Sequence, residues 1–367
     1  MKKILAMLVL LLSLALCMAS CNFLKDDDTT PDAGADKPGD NIGDTETEKP
    51  GGTTVDANAE KYTAALALIN EGKYEDAQKA LAELGDYKDA KDLLTKFYYV
   101  PASAIYESDG ERMTVEFFYN ENNLPLRTDL TDVDGFTESA IFTYDANLDL
   151  IKQLFEDSEE GDTTYSYTYD ESRRVIKEVY ATEETVIYTI DREYDESGRL
   201  SKFTHTYPEE ELFYSHAFTY DDKGKMATEL YTSSNGDSAT TVFTYDENGR
   251  KLKGVYTYSD GTISESVYTY DENGNMIKDT YIYDGEVADF LEYTYDANGN
   301  LIKEVYIIEG ELDFSYEYTY DENGNATKIV YSDKEGSVDT KTVEYKLVYI
   351  SVDVTEQIEQ VIGFYYL

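Results

Sequence analysis

The chain has 367 residues, of which 31 are Lys or Arg and 76 are Asp or Glu, so its formal net charge is -45 at pH 7. Such a charge repels the phosphates of nucleic acids and the headgroups of anionic lipids, which excludes both as binding partners. Tyr occurs 36 times and Trp is absent from the sequence. This imbalance indicates one Tyr-rich unit that is copied many times.

The first 20 residues have the composition of an export signal. Two lysines are followed by a leucine-rich apolar run and then by small residues before a cysteine, in the sequence MKKILAMLVLLLSLALCMASC. The apolar run is too short to cross a bilayer as a helix. The segment resembles a bacterial lipoprotein signal, which implies that residues 1–20 are removed and that Cys21 carries the lipid. Cys21 fits this pattern better than Cys17, because both residues before Cys21 are small. An ordinary cleaved secretory peptide is the alternative.

Residues 21–58 are rich in Asp, Thr, Gly and Pro and have few large apolar side chains. They cannot offset the entropy of ordering, so we predict a disordered tether from the lipidated Cys21, with a mean reach of about 30–35 Å. The protein is then expected on the outer face of the bacterial cytoplasmic membrane or on the cell surface, in contact with the membrane through its lipid anchor only. No Cys follows Cys21, which excludes disulfides, Cys metal sites and thiol nucleophiles from the mature chain.

Residues 59–98 are rich in Ala, Leu, Lys and Glu at helical spacing. Gly72 and Gly85 stand where helices would end, which favours three short helices. The pattern G-K-Y-E-D-A, followed by A-L and L, resembles a tetratricopeptide unit, and the resemblance implies a helical hairpin of the kind that grips peptides. Such units need neighbours to bury their faces, and only one is present. We therefore favour a small helical cap on the next domain over a peptide-binding site.

One strand-and-turn phrase recurs along the rest of the chain. YTYDENGN begins at Tyr268, YTYDANGN at Tyr293 and YTYDENGN again at Tyr318. We call the tyrosine at this position of each unit, which precedes an aspartate in eight of the ten copies, the marker. Markers follow one another at intervals of 25 residues, with one interval of 26, at Tyr119, Tyr144, Tyr169, Tyr194, Tyr220, Tyr245, Tyr270, Tyr295, Tyr320 and Tyr345. This regularity identifies a repeat protein, and we assign residues 99–367 to a domain of about ten units.

Each unit has the pattern of a β-hairpin. A run dense in Tyr, Phe, Thr and Val ends at the marker, and the D-x-N-G that follows is a tight-turn signal, because Asn and Gly tolerate the positive φ of a short loop. A second β-rich run then leads to a looser turn. This looser turn often contains glycine, as at Gly261, Gly285, Gly310 and Gly336.

Alignment of the units reveals three ladders of like residues. One residue before the marker is Thr, at Thr143, Thr168, Thr219, Thr244, Thr269, Thr294 and Thr319. Two residues before it is an aromatic in most copies, among them Phe142, Tyr167, Phe243, Tyr293 and Tyr318. Eight residues after it is a basic residue, at Arg127, Lys152, Lys177, Lys202, Lys253, Lys278, Lys303 and Lys328.

Neighbouring strand positions face opposite ways, so the Thr and aromatic ladders lie on different faces. If the marker pairs with the sixth residue after it, the basic residue lies opposite the aromatic one; a register one residue different would break that pairing.

The copies of YDENGN resemble the YD repeats of the RHS family over residues 113–350. The resemblance implies hairpins wound into a long spiralling sheet, which in large members closes into a hollow shell around a toxin and in some surface proteins contacts glycans or other proteins. This chain is far shorter than such a shell, so we expect no enclosed toxin. The turn Gly is also replaced in three early copies, by Asn123, Leu148 and Arg173. Degenerate first units are typical of capping repeats.

We therefore predict a mainly β fold, an elongated, coiled antiparallel sheet of stacked 25-residue hairpins, preceded by the small helical segment. A flat sheet of about twenty strands would extend roughly 95 Å, and open sheets of more than about ten strands curl or split. The Tyr-rich concave face would supply the core. The last strand would be an exposed edge unless it is covered.

The sequence offers little catalytic chemistry. His205 and His216 lie in one degenerate unit, so structural positions are favoured over a catalytic relay. Acidic residues are so numerous that no carboxylate pair is informative. Turns such as that of Asp271, Asn273 and Asn275 lack the spacing of an EF-hand, which favours hairpin turns stabilised by the aspartate over calcium binding. We predict no catalytic residue, no metal site and no cofactor.

Three classes of function remain: a binding module, an envelope spacer and an enzyme. Repetition argues against an enzyme, because catalysis needs one unique constellation. Tyr is large, rigid and amphipathic and suits contact surfaces, so we favour a non-catalytic module that binds a cell-wall or host glycan, or a protein partner, multivalently. In the spacer alternative the same Tyr form the core. The candidate binding aromatics are Phe243, Tyr268, Tyr293 and Tyr318 near the markers, and Tyr256, Tyr281 and Tyr306 on the returning strands.

Overall fold

The computed structural model describes residues 56–156 and 161–350. The predicted signal peptide, the lipidated Cys21 and nearly all of the tether lie outside these residues, as does the chain after residue 350. The chain divides into two compact units, with the boundary between Phe97 and Tyr98. The first unit is helical in its described part, and the second is a β-sheet.

The helical unit contains α1 (Ala57–Asn70), α2 (Tyr74–Ala82) and α3 (Ala90–Leu94). Its core is small and apolar, since Ala65, Ala77 and Leu81 are fully buried. Gly72 follows α1 with a φ of +71°, a left-handed conformation that ends a helix at little cost for glycine. The predicted helical segment is therefore present. Within the described residues, no helix combines the length and the apolar character needed to span a bilayer.

The second unit is one antiparallel sheet of 20 strands. In chain order the strands are β1 (Phe97–Ser108), β2 (Glu111–Tyr119), β3 (Pro125–Thr131), β4 (Thr137–Tyr144), β5 (Leu150–Glu156), β6 (Thr163–Tyr169), β7 (Val175–Thr182), β8 (Val186–Tyr194), β9 (Leu200–Tyr207), β10 (Leu212–Tyr220), β11 (Met226–Ser233), β12 (Ser238–Tyr245), β13 (Lys251–Tyr258), β14 (Ile263–Tyr270), β15 (Met276–Tyr283), β16 (Glu286–Tyr295), β17 (Leu301–Ile308), β18 (Glu311–Tyr320), β19 (Ala326–Asp333) and β20 (Val338–Tyr349). Each strand pairs with the next one along the chain, as the repeated hairpin pattern predicts.

The sheet closes on itself, because β1 also pairs with β20. At this seam Ser103 donates a hydrogen bond from Oγ to Oε2 of Glu344 at 3.2 Å, and Ala104, Val115 and Val343 form a buried apolar cluster. The prediction of a coiled open sheet is therefore wrong, and the fold is a closed antiparallel barrel. Closure pairs the backbone groups that an open sheet leaves free at its two edges, so the last strand is not an exposed edge.

A β-bulge sets the register of each repeat. Marker Tyr295 pairs with the sixth residue after it, but Thr294 pairs with Lys303 because the register shifts between Thr294 and Tyr295. Tyr293 therefore lies opposite Glu304, and equivalent shifts occur before the other markers that open a tight turn. The predicted pairing of the marker is correct. The prediction that the basic residue lies opposite the aromatic one is wrong, because the bulge moves the basic residue to the Thr face.

The two faces of the sheet differ in chemistry. The Thr ladder is exposed, and its basic residues form ion pairs across strands, such as Lys278 with Glu292 at 3.0 Å and Lys303 with Glu317 at 2.8 Å. The opposite face carries the markers and the other aromatics, which are mostly half-buried. Side chains converge on the concave side of a closed sheet and diverge on its convex side. We therefore assign the Tyr-rich side as the inner face and the Thr-rich side as the outer face.

From the number of strands we infer that the inner face encloses a lumen. Twenty strands spaced about 4.8 Å apart have a perimeter of roughly 95 Å, so a round section is about 30 Å across. One layer of side chains from each wall does not fill that width, and barrels of about 16–18 strands already hold an aqueous channel. Large apolar side chains that are fully buried are concentrated in β1–β5 and β20. Along most of the sheet the inner tyrosines are half-buried and keep contact with solvent.

Candidate binding surface on the inner face

The marker tyrosines tie each hairpin to the one before it. The hydroxyl of Tyr295 donates a hydrogen bond to the backbone carbonyl of Met276 at 2.8 Å, and that of Tyr320 donates to Leu301 at 2.7 Å. The equivalent hydrogen bond is formed by Tyr119, Tyr144, Tyr169, Tyr194, Tyr220, Tyr245, Tyr270 and Tyr345. Apart from Pro101 in β1, which accepts from Tyr119, each acceptor lies just after the preceding tight turn. The markers are therefore structural residues, a role that the sequence pattern alone did not assign.

An aspartate follows eight of the ten markers and organises the tight turn. Oδ1 of Asp271 accepts hydrogen bonds from the backbone N–H groups of Asn273 at 2.9 Å and Asn275 at 2.8 Å, and Oδ2 accepts one from the Asn275 side chain at 3.0 Å. These bonds, above all that from the Asn275 side chain, lower the pKa of Asp271. Both carboxylate oxygens are thus used inside the turn. In the part of the chain that the structure describes, no group of three or more His, Cys, Asp or Glu side chains is arranged to hold a metal ion.

The structure places all seven candidate aromatics on the inner face, where each is half-buried. They are Phe243, Tyr268, Tyr293 and Tyr318, two residues before their markers, and Tyr256, Tyr281 and Tyr306 on the returning strands. The first four occupy the same register position on successive hairpins, opposite Gly254, Asp279, Glu304 and Ile329. Successive hairpins are two strands apart, so this row repeats about every 10 Å around the wall of the lumen.

Carboxylates lie between these rings. Burial raises the pKa of Asp279 to about 6, although the positive charge of Lys251 acts in the opposite direction. Burial also raises the pKa of Glu304, whose Oε2 accepts a hydrogen bond from the Tyr318 hydroxyl at 3.4 Å. The side-chain carboxylate of Asp279 accepts no hydrogen bond within the described residues. A carboxylate that is partly desolvated and poorly hydrogen-bonded gains stabilisation from any ligand group that donates to it.

A second group of stacked rings on the inner face was not singled out from the sequence. Ring centroids lie 4.5 Å apart for Tyr165 and Tyr180, 5.2 Å for Tyr180 and Tyr188, and 4.6 Å for His205 and Tyr207. Tyr188 also meets the His205 ring edge-on at 4.5 Å. The signal was present in the aligned units, because Tyr165 and Tyr180 stand four residues before and eleven residues after marker Tyr169.

Both histidine rings pack against other rings of this aromatic wall. Burial lowers the pKa of His205 to about 4, with a further contribution from the Arg192 charge, so its ring is neutral at physiological pH. His216 stacks on Phe203 with 4.6 Å between centroids, and its Nδ1 lies 2.6 Å from Oε1 of Glu229. Both rings lie on the inner face, and their structural role stays a prediction.

Comparison with known families supports the YD-repeat resemblance. The family model described as Teneurin YD-shell matches residues 179–289, which is less than half of the chain. The matched segment runs from within β7 to within β16 and includes the bulged hairpins described above. The predicted YD and β-hairpin repeats are therefore confirmed for this segment. The tetratricopeptide-like and lipoprotein resemblances stay predictions.

Two solved structures show weak similarity to this chain. A porin-like protein from Bacteroides uniformis is 13% identical with a TM-score of 0.33, and the alignment covers 67% of this chain and 97% of that one. A porin-like protein from Bacteroides vulgatus is 11% identical with a TM-score of 0.26, covering 67% and 98%. We base nothing on likenesses of this size. Among curated proteins, none matches the chain.

Proposed function

We propose that the closed sheet is a non-catalytic module that binds a glycan multivalently along its inner aromatic face. The observation that carries this proposal is the row of half-buried rings at Phe243, Tyr268, Tyr293 and Tyr318, which recurs once per hairpin. Asp279 and Glu304 lie opposite two of these rings. Aromatic faces stack on the C–H surfaces of sugars, and carboxylates accept hydrogen bonds from sugar hydroxyls.

Repetition supports a repeated ligand. The rings recur about every 10 Å, close to the length of a disaccharide, so a polysaccharide would meet the same contacts at each hairpin. Contacts that are individually weak then gain avidity from their number. The net charge of -45 favours neutral or cationic glycans over polyanionic ones.

A polysaccharide array followed by calorimetry with the selected glycan tests this function. Phe243→Leu, Tyr268→Leu, Tyr293→Leu and Tyr318→Leu are made singly and together, because Leu keeps apolar volume but removes the flat ring. We expect each single change to weaken binding about two- to fivefold and the combined variant to abolish it, as expected for avidity. The matched control is Thr244→Ala, Thr269→Ala, Thr294→Ala and Thr319→Ala, one residue along on the outer face, which should bind normally.

An envelope spacer is the second candidate, and the marker tyrosines favour it, because their hydrogen bonds show Tyr used to hold the fold. The same experiment separates the two functions. If the combined Leu variant loses its cooperative unfolding transition, the rings belong to the core, and the spacer function is supported over glycan binding. If peptides bind the inner face and glycans do not, the ligand is a protein segment. An acidic substitution that removes a measurable catalytic activity would contradict both non-enzymatic functions.

We also propose that the protein is a lipoprotein of the cell surface, anchored through Cys21. The support is the order of two lysines, a short apolar run and MASC at the N-terminus. Fractionation of cells that express Cys21→Ala tests the anchor, with Cys17→Ala as the matched control. The Cys21 variant should leave the membrane fraction and the Cys17 variant should stay in it. Equal membrane partition of both variants would refute the anchor.

A further inference from the structure

The closed sheet has two chemically different ends. Because neighbouring strands are antiparallel and sequential, every D-x-N-G turn lies at one end and every looser turn lies at the other. The looser turns join β1 to β2, β3 to β4 and so on, up to β19 to β20. We call the end formed by these turns and the strand residues next to them the loose-turn rim.

Exposed apolar side chains are concentrated on the loose-turn rim. Most of the large apolar residues that are exposed in the described chain lie there: Val133, Val186, Phe213, Tyr258, Ile263, Tyr283, Val287, Ile308, Leu312 and Val338. Some are more than half exposed, with 66% for Val133, 56% for Val287 and 53% for Val338. At the opposite end the exposed set is smaller and includes Leu126 and Leu252. Apolar groups gathered in this way mark an interaction site more often than scattered ones do.

In two successive hairpins of the rim, apolar residues lie opposite each other as register pairs. Val287 pairs with Ile282 across one loose turn, and Leu312 pairs with Ile307 across the next. These hairpins are two strands apart, so the pairs lie about 10 Å from each other. Seven residues of an α-helix rise about 10.5 Å, which means that apolar residues at every second helical turn match this spacing.

Carboxylates surround these apolar groups. Every loose turn that is fully described contains an acidic residue, including Asp260, Asp284 and Glu309. Lys334 is the one basic residue in those turns, and it is paired with Asp313 at 2.6 Å. The tight turns at the other end carry basic residues at Arg173, Arg174, Arg199, Lys223, Lys225 and Arg250. The rim is therefore acidic beyond the acidity of the chain as a whole.

We propose that the loose-turn rim docks a basic amphipathic helix of a partner protein. The apolar pairs receive the apolar stripe of the helix, and the turn carboxylates pair with its flanking Lys and Arg. Charge complementarity selects this occupant. A second copy would bring two acidic rims together, and an anionic membrane would meet the same repulsion. This inference rests on the rim alone and does not depend on glycan binding by the inner face.

Fluorescence anisotropy with a labelled synthetic peptide tests the proposal on the full chain. The probe is a peptide of Leu and Lys with Leu at helical spacing, and the reference probe replaces each Leu by Ser at the same charge. We expect the Leu–Lys peptide to bind at least tenfold more tightly than the Ser–Lys peptide. The combined variant Ile263→Ser, Val287→Ser, Leu312→Ser and Val338→Ser should remove that tenfold difference. These side chains are exposed, so its circular dichroism should match that of the unchanged protein.

Matched controls locate the binding. Leu126→Ser with Leu252→Ser changes exposed apolar residues at the other end and should leave the affinity unchanged, as should the inner-face Leu substitutions. Equal affinities of the Leu–Lys and Ser–Lys peptides would show that binding depends on charge alone, and this result would overturn the proposal. Equal loss in the rim and control variants would overturn it as well. The proposal also fails if light scattering shows a dimer that the rim variant dissociates, or if neutral phosphatidylcholine vesicles bind the rim and the peptide does not.

Discussion

Tyr293 and Tyr295 lie two residues apart on the same face of β16, yet their hydroxyls have different roles. The Tyr295 hydroxyl donates to the carbonyl of Met276 on the preceding hairpin. The Tyr293 hydroxyl has no hydrogen-bond acceptor among the described residues, and its ring lies opposite Glu304. In this unit Tyr295 therefore holds neighbouring hairpins together, whereas the Tyr293 hydroxyl takes no part in that contact. Under the proposed function, Tyr293 is the member of the pair that contacts the ligand.

The matched pair Tyr295→Phe and Tyr293→Phe tests that division. Loss of the Tyr295 hydroxyl removes one hydrogen bond and leaves a carbonyl with one partner fewer, so we expect the free energy of unfolding to fall by about 1 kcal/mol. Loss of the Tyr293 hydroxyl should change it by less than about 0.5 kcal/mol. Chemical denaturation of both variants measures the difference. Equal destabilisation would show that the two hydroxyls do not differ in role.

Lys341 on β20 is the clearest buried charge at the seam. Its side chain is 8% exposed, and its Nζ has no hydrogen-bond partner in the described chain. The amine lies 5.2 Å from the centroid of the Tyr106 ring on β1. Burial lowers the pKa of Lys341 to about 8 from the usual 10.5. The folded state therefore binds a proton less readily than the unfolded state between these two pH values.

Lys341→Met is expected to stabilise the protein at pH 7 by about 2–3 kcal/mol, since it removes the cost of a buried charge. Because the pKa of Lys341 is lower in the folded state, the free energy of unfolding of the unchanged protein rises as the pH increases from about 8 to 10.5. The difference in stability between the variant and the unchanged protein therefore decreases over that pH range. Denaturation curves at pH 7, 8, 9 and 10 measure the difference, with the exposed Lys328→Met as control. A difference that does not vary with pH would contradict the buried charge.

At the scale of the element, the tight turn was predictable from D-x-N-G. The sixth-residue pairing and the positive φ at Gly274, Gly299 and Gly324 follow from it. The three copies without Gly keep the same backbone, since Asn123, Leu148 and Arg173 have φ values of 59°, 66° and 64°. Asn tolerates this conformation. At Leu148 and Arg173 the aspartate and the neighbouring hairpins impose the turn although the side chain disfavours it.

The variant Gly299→Ala measures the energetic cost of a side chain at the left-handed position of the tight turn. Gly299 has a φ of +87°, and nothing lies within 4 Å of an added Cβ, so the cost comes from the backbone alone. We expect the free energy of unfolding to fall by about 1–2 kcal/mol, and by less for Gly299→Asn. The neighbouring Asn298→Ala, at an exposed position, is the control and should stay within about 0.5 kcal/mol. Equal values for Gly299→Ala and Asn298→Ala would show that the left-handed conformation is not required.

The bulge before each marker that opens a tight turn was not predictable, and it determines which residues lie on each face of the sheet. Two hairpin registers that differ by one residue in the turn fit the alternation of inward and outward side chains in the sequence equally well. The structure resolves it through Thr294 opposite Lys303. The shift takes the basic ladder off the aromatic face and leaves Glu304 and Asp279 there instead. The candidate aromatics themselves were predictable, because they form a column of like residues whatever the register.

At the scale of the whole molecule, repeat number and strand direction were predictable and closure was not. Closure depends on how twist and stagger accumulate over 20 strands, a sum that no single repeat reveals. It also depends on β1, which precedes the first marker and has no repeat signature. The pairing of β1 with β20 joins residues more than 200 positions apart, such as Ser103 and Glu344.

Because the sheet is closed, we expect the deletion of two strands and the deletion of one strand to affect stability differently. Removal of residues 271–295, one whole unit, takes out two strands, so the first and last strands can still meet antiparallel. Removal of β15 alone leaves an odd number of strands and forces a parallel meeting at the seam. We expect the whole-unit deletion to keep a single cooperative unfolding transition at reduced stability and the one-strand deletion to lose it. Calorimetry of both variants measures this, and similar transitions for the two would argue against a closed antiparallel sheet.

The distance between β1 and β20 tests the central feature most directly. Cysteines for nitroxide labels are introduced by Ser103→Cys and Glu344→Cys in a chain in which Cys17 and Cys21 are replaced by Ser, and pulsed electron resonance measures the separation of the labels. The closed sheet predicts neighbouring strands and a label distance below about 20 Å, since adjacent strands lie about 5 Å apart. A distance of several tens of ångströms would mean that the sheet is open, and the lumen and the inner face would be lost with it.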